Sequence, residues 1–151
     1  MHKIYITGIA GFIGFHTAKH LINKGYEVSG MDNFDDYYDP QFKYDRQAIL
    51  HTQYGSITDD DNIETADWQD ILKDYDAVIH LAAHAGVRHS LNNPQMYIDT
   101  NISATQRLIH ACEDLEIPVI YASSSTADSD HLNPYAWSKY VNEKQFETSK
   151  L

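Results

Sequence analysis

The chain has 151 residues, with 22 acidic side chains against 11 basic ones and a formal net charge of −11. That length holds about one domain of roughly 100–150 residues, and 42% hydrophobic with 22% charged residues is globular composition, not that of a disordered tail. The acidic balance excludes the basic footprint of a nucleic-acid binder and disfavours anionic membrane surfaces; no apolar run approaches the roughly 20 residues of a bilayer span.

The N-terminal MHKIYITG lacks a signal-peptide pattern, because its apolar stretch is short and runs into a glycine turn. Cys112 is the single cysteine, so no intrachain disulfide forms. This favours a reducing compartment, and a cytoplasmic location is expected. Burial in the core or an interface is expected for Cys112, since nothing cationic beside it in sequence activates the thiol.

Strand and helix signals alternate from the start. A β-prone run at 4–6 stops at Thr7-Gly8. Gly14, Ala18, Leu21, Ile22 and Gly25 then fall on one face at a 3.6-residue period, which predicts a helix. Residues 26–31 read as a second strand. Residues 32–45 are acidic, aromatic and irregular, with a short helix at 41–49. A weak third strand is expected at 51–57 and an acid-rich helix within 59–73. DAVIHL at 76–81 reads as a buried strand. Asn93-Pro94 opens a long helix to Leu115, residues 117–122 form a fifth strand, and Pro134 opens a last helix. Apolar strands alternating with helices argue for parallel pairing by right-handed crossovers. The expected fold is a doubly wound, Rossmann-like α/β sheet.

TGIAGFIG sets Gly8, Gly11 and Gly14 between the first strand and the first helix. Gly8 permits the tight turn, Gly11 lets backbone approach a pyrophosphate, and Gly14 allows the helix to pack closely. The helix N-terminus offers free N–H groups to phosphates. Asp32 ends the second strand about 20 residues on, where a carboxylate accepts from a ribose 2′-hydroxyl. It repels a 2′-phosphate, and no Arg stands at 33 or 34, so NAD is expected over NADP.

Near the end, Tyr135 and Lys139 are i and i+4 on one helical face. An ammonium near a phenol favours the phenolate, which makes a tyrosine able to exchange a hydroxyl proton. Ser123, Ser124, Ser125 and Thr126 end the fifth strand, where open parallel sheets bind ligands. Nine histidines include pairs at 16 and 20 and at 84 and 89, but no third ligand has fixed spacing, so no metal site is expected.

Together, TGIAGFIGFHTAKHL, GMDNFDDYYDP, HLAAHAGVRHSLNNPQMYIDTN, YASSS and PYAWSKYVNE resemble the extended short-chain dehydrogenase/reductase family of sugar-nucleotide epimerases and dehydratases, nearest to its UDP-glucuronate 4-epimerases. The resemblance implies NAD as cofactor and hydride removal and return at C4 of a UDP-sugar. It implies Tyr135 as acid/base, Lys139 as its activator and ribose ligand, and Ser124 on the reacting hydroxyl. Ser125, Thr126 and Arg88 would meet the substrate's carboxylate or phosphate. Gly8, Gly11, Phe12, Ile13, Gly14, Asp32, Asn33, Leu81, Ala82, Ala83 and His84 would hold the cofactor, with Asn101 behind it. The family's acidic adenine contact falls on Ser56, with the Ile57 backbone expected to serve.

Family members are about twice this length, so a C-terminal substrate domain is expected to be absent, leaving one NAD-binding domain over 1–151. A longer family segment is compressed to ten residues between Ser124 and Tyr135. The alternative to a UDP-uronic acid epimerase is a truncated NAD-binding, dimerising module without sugar turnover. A second stripe on the long helix, Ile98, Ile102, Thr105, Ile109 and Cys112, suggests a partner. A homodimer through helices 94–115 and 134–150 is the expectation.

Overall fold

The computed structural model describes residues 2–128 and 133–151. Strands β1 (Lys3–Thr7), β2 (Glu27–Asp32), β3 (Thr58–Asp60), β4 (Ala77–His80) and β5 (Val119–Tyr121) form one sheet in the order β3-β2-β1-β4-β5, parallel throughout. The order reverses direction between β1 and β4, and ligands of such sheets bind in the crevice outside that switch point.

Alternation along β1 builds both sides of the core, because successive side chains leave a strand on opposite faces. Tyr5 joins Met31, Val78, Trp68, Leu72 and Leu108 on one face. Ile4 and Ile6 join Val28, Ile79, Phe15 and Leu50 on the other. Helix α1 (Phe12–Asn23) buries Gly14, Phe15 and Ala18, close to the face expected from its period.

Two expectations fail between β2 and β4. Residues 51–54 are not strand but the last turn of α2 (Gln41–Tyr54), which Gly55 ends in the left-handed conformation at φ 66°. The strand therefore starts only at Thr58. The acid-rich helix contracts to α3 (Trp68–Leu72), capped by the Asp67 carboxylate. Upstream, Asn62 Oδ1 accepts from the Glu64 N–H at 3.0 Å, a local turn that competes with helix.

The long helix is likewise not uniform. A short α4 (Val87–Asn92) precedes α5 (Pro94–Tyr97), a π-helical segment (Ile98–Ala104) and α6 (Thr105–Leu115). A π turn inserts one residue and rotates the faces on either side of it. Thr105, Ile109 and Cys112 are consequently buried inside the chain's own fold. Ile98 and Ile102 stay partly exposed, so the stripe is covered at its α6 end and open at its π-helical end. Helix α7 (Pro134–Thr148) packs on the π segment and α6. Among the described residues, no helix is long and apolar enough to cross a membrane.

Candidate active site

A cavity of about 490 Å³ opens at the carboxyl ends of the strands. The β1–α1 turn contributes Gly8, Gly11 and Phe12; Asp32 and Asn33 follow β2; Leu81, Ala82, Ala83 and His84 follow β4. These are expected residues, brought together by the switch point. Gly8 sits at φ 73°, and a Cβ on it would come 3.0 Å from the Ala82 nitrogen. A Cβ on Gly14 would come 2.2 Å from the Gly8 carbonyl oxygen. Helix α1 therefore begins against the turn that would face the phosphates.

Asp32 is buried and already well partnered. Oδ2 accepts from the Ala10 N–H at 3.2 Å, and Oδ1 accepts from the Phe34 N–H at 3.0 Å and from Lys43 Nζ at 2.9 Å. Lys43 and Arg46, both on α2, also line the cavity. The spacing argument missed these two cations because they lie 11 and 14 residues beyond the carboxylate, on a helix whose packing brings them back.

The other expected residues lie outside this lining: Ser124, Ser125, Thr126, Tyr135 and Lys139 at the β5 side, Gly14 and Asn101 behind the wall, and Ser56, Ile57, Ile13 and Arg88 farther off. Ser56 and Ile57 precede β3, where Ser56 donates to the Val28 carbonyl at 2.7 Å; Asp61, Asn62 and Ile63, past the strand's carboxyl end, line the cavity instead. The later strand start puts Ser56 and Ile57 outside the lining. Ile13 is 62% exposed on the outer side of α1. Arg88 is exposed on α4, outside the cavity lining.

Behind the β4 exit lies a buried polar row. Thr7 Oγ1 accepts from the N–H groups of Leu81 and Ala82, both at 3.1 Å. Its own proton then goes to His80 Nδ1 at 2.7 Å, so Nε2 carries the ring hydrogen and donates to Thr105 Oγ1 at 3.0 Å. Burial, with the nearby Lys139 charge, pushes His80 down to about 3 and keeps the imidazole neutral.

The Tyr-bearing helix meets this frame through Asn101. Asn101 Oδ1 accepts from the His84 N–H at 2.8 Å, while Nδ2 donates to the His84 carbonyl and to Ser138 Oγ, each at 3.0 Å. The polar residue on the buried stripe thus finds the partners it needs. Lys139 is buried, donates to the Ala122 carbonyl at 3.0 Å, and lies 4.8 Å from the Tyr121 ring centroid. Burial lowers its pKa to about 8. The Tyr135 ring meets Tyr97 edge-on, with centroids 6.2 Å apart. Ser124 Oγ lies 2.9 Å from Thr126 Oγ1, and Ser125 is exposed at the start of a 3₁₀ turn. The compressed segment before Tyr135 lies partly outside the described residues.

A glycine turn without room for Cβ atoms, a buried carboxylate after β2 and a cavity at the switch point define a dinucleotide-binding α/β domain, and these residues fit NAD. Residues 4–150 match the NAD dependent epimerase/dehydratase family, and the chain belongs to that family. It is 36% identical to UDP-glucuronate 4-epimerase 3 of Arabidopsis thaliana, across 82% of this chain and 30% of that protein. It is 37% identical to Protein CapI of Staphylococcus aureus, across 93% and 47% respectively. Among solved structures, UDP-glucuronic acid 4-epimerase from Bacillus cereus in complex with UDP-glucuronic acid and NAD superposes with TM-score 0.87 at 32% identity, covering 96% of this chain and 51% of that one. The chain spans about half or less of the length of these relatives.

Proposed function

We propose that this chain carries the NAD-binding and acid/base part of a UDP-sugar 4-epimerase acting on a UDP-uronic acid. The observation that carries the reading is the placement of Lys139. It is buried at the carboxyl end of β5, one helical turn from Tyr135, on a helix tied through Ser138 and Asn101 to the cavity wall at His84.

NAD would rest on the β1–α1 turn and the first turn of α1, with its ribose on Asp32 and Asn33 and its length along residues 81–84. When bound, it accepts a hydride from sugar C4 and returns it. Tyr135 takes the C4 hydroxyl proton as its phenolate and gives it back as the phenol. Lys139, with its pKa about 8, carries its charge through neutral pH one helical turn from Tyr135. Ser124 hydrogen-bonds the reacting hydroxyl, while Ser125 and Thr126 serve the sugar carboxylate; Arg88, exposed on α4, would meet the substrate only from outside the cavity lining. The homodimer through helices 94–115 and α7 belongs to this proposal, as does the cytoplasmic location, which the single buried cysteine favours.

Calorimetric titration with NAD and then UDP-glucuronate tests it, with epimer formation followed by NMR. NAD at 100 times its Kd is expected to raise unfolding free energy by about 2.7 kcal/mol. Tyr135→Phe is expected to bind NAD and abolish epimer formation. Absence of NAD binding overturns the reading. NAD binding without epimer formation leaves a cofactor module. Light scattering at micromolar concentration decides the dimer.

A further inference from the structure

We propose that Asn142 is a positioning residue that holds the π turn in register, so that Asn101 can grip the cavity wall and α7 can present Tyr135 and Lys139 to it. The inference rests on the functional reading only for the last step.

Two carbonyls of the π segment accept donors from outside it, the Ile102 carbonyl in addition to the Thr105 N–H. Here the donors come from one face of α7. Asn142 Nδ2 donates to the Asn101 carbonyl at 2.7 Å, and Gln145 Nε2 donates to the Ile102 carbonyl at 3.3 Å. The Asn101 contact fixes the amide's orientation, because a carbonyl can only accept. Asn142 Oδ1 then accepts from the Tyr121 hydroxyl at 3.1 Å, and Nδ2 also donates to Gln145 Oε1 at 2.7 Å. Asn142 is 1% exposed, and this single amide joins the π segment, β5 and α7.

One turn earlier on α7, Ser138 accepts from Asn101 Nδ2 and donates to the Tyr135 carbonyl at 2.8 Å. Helix α7 is therefore pinned to Asn101 twice, at its backbone by Asn142 and at its side chain by Ser138. Lys139 lies between the two pins, and the Tyr121 ring beside its ammonium is the one whose hydroxyl Asn142 receives. Asn101 in turn brackets both backbone groups of His84. Asn142 is not among the cavity-lining residues, so its effect on the site passes through Asn101 and Tyr121.

The test is amide hydrogen exchange on the chain alone, with His84 compared with Ile6 and Val78 in the central strands, followed by NAD titration. In Asn142→Leu, which keeps the branched shape and removes the donor, His84 exchange is expected to rise about tenfold relative to the two strand amides, the loss of one buried hydrogen bond. The NAD Kd is expected to rise by a similar factor. Ser138→Ala, which cuts the other pin, should move both readouts in the same direction, and Asn142→Ser, which keeps a donor, should recover part of the change. An unchanged His84 rate, or equal acceleration of all three amides, overturns the proposal. Wild-type chain that fails to bind NAD overturns the functional reading instead, and the exchange result still decides the positioning role.

Discussion

Lys43 Nζ lies 2.9 Å from Asp32 Oδ1, and the carboxylate it meets is almost wholly buried. Truncating one member of such a pair leaves a buried charge short of a partner. Lys43→Met is expected to cost about 1–3 kcal/mol in urea unfolding and to weaken NAD binding, since Lys43 also lines the cavity. The pairing also bears on the expected preference for NAD over NADP. With Lys43 offsetting the charge and Arg46 nearby, discrimination falls to the hydrogen bond that Asp32 accepts. Asp32→Asn should narrow the NAD over NADP preference by about tenfold, and a preference that stays fixed in parallel titrations would contradict this.

Gly14→Ala should be among the most damaging single methyl additions. Its Cβ would meet the Gly8 carbonyl oxygen at 2.2 Å and the Ile9 Cα at 2.8 Å. Both are backbone, so α1 must move off the sheet. Overpacking of this kind costs about 1–3 kcal/mol or more. Thermal melting reads the loss, and NAD titration should show it as weakened binding, because the phosphate turn moves with the helix.

Lys139 predicts a rise of stability in alkali. Its folded pKa, about 8, is below its ordinary 10.5 because burial disfavours the charge. Between those values the unfolded chain binds the extra proton, so stability climbs with pH, by up to about 1.4 kcal/mol per unit for one proton. That gain is lost as pH falls from 10.5 towards 8. Comparison of wild-type and Lys139→Met urea midpoints at pH 7.5 and 9.5 checks the sign: the difference between the two pH values should shrink in the variant.

His80 gives the acid counterpart. Its ring stays neutral down to about 3, against 6.5 unfolded. Its stabilising contribution is present above 6.5 and is lost as pH falls from there towards 3. NMR should find its ring resonances unmoved between pH 7 and 5, with Nε2 protonated. A ring that titrates near 6.5 would refute the Thr7–His80–Thr105 arrangement.

Cys112 should be silent to thiol reagents in the native state. It is free, buried in the core, and its thiol is pushed up to about 12 by desolvation. Alkylation should track global unfolding and accelerate in urea with the unfolded fraction. Rapid native labelling would place the thiol outside the core.

Much of the site was legible from sequence because its signals are local. The β1–α1 glycines, Asp32 and the i, i+4 pair of Tyr135 and Lys139 each declare their chemistry within one turn or one strand end. Ser138 and Asn142 were within reach as well, since i+3 and i+7 from Tyr135 put them on the same helical side. What failed was register. The start of β3 shifted from the expected 51–57 to Thr58 because α2 extends to Tyr54, and it is Asp61–Ile63, not Ser56 and Ile57, that line the cavity there. The π segment was invisible, because an inserted turn leaves no period of its own in seven residues.

The sequence by itself determined the alternating strands and helices, the β1–α1 glycine turn and the helix that carries Tyr135 and Lys139, since apolar period, glycine placement and capping act between residues close along the chain. Tertiary structure alone decided that Lys43 neutralises Asp32, that the second stripe is buried within the chain at its α6 end, and that Asn101 joins the cavity wall to α7. Those contacts join residues 11 to 41 positions apart or more, and only packing of whole elements, with every buried polar group seeking a partner, brings them together.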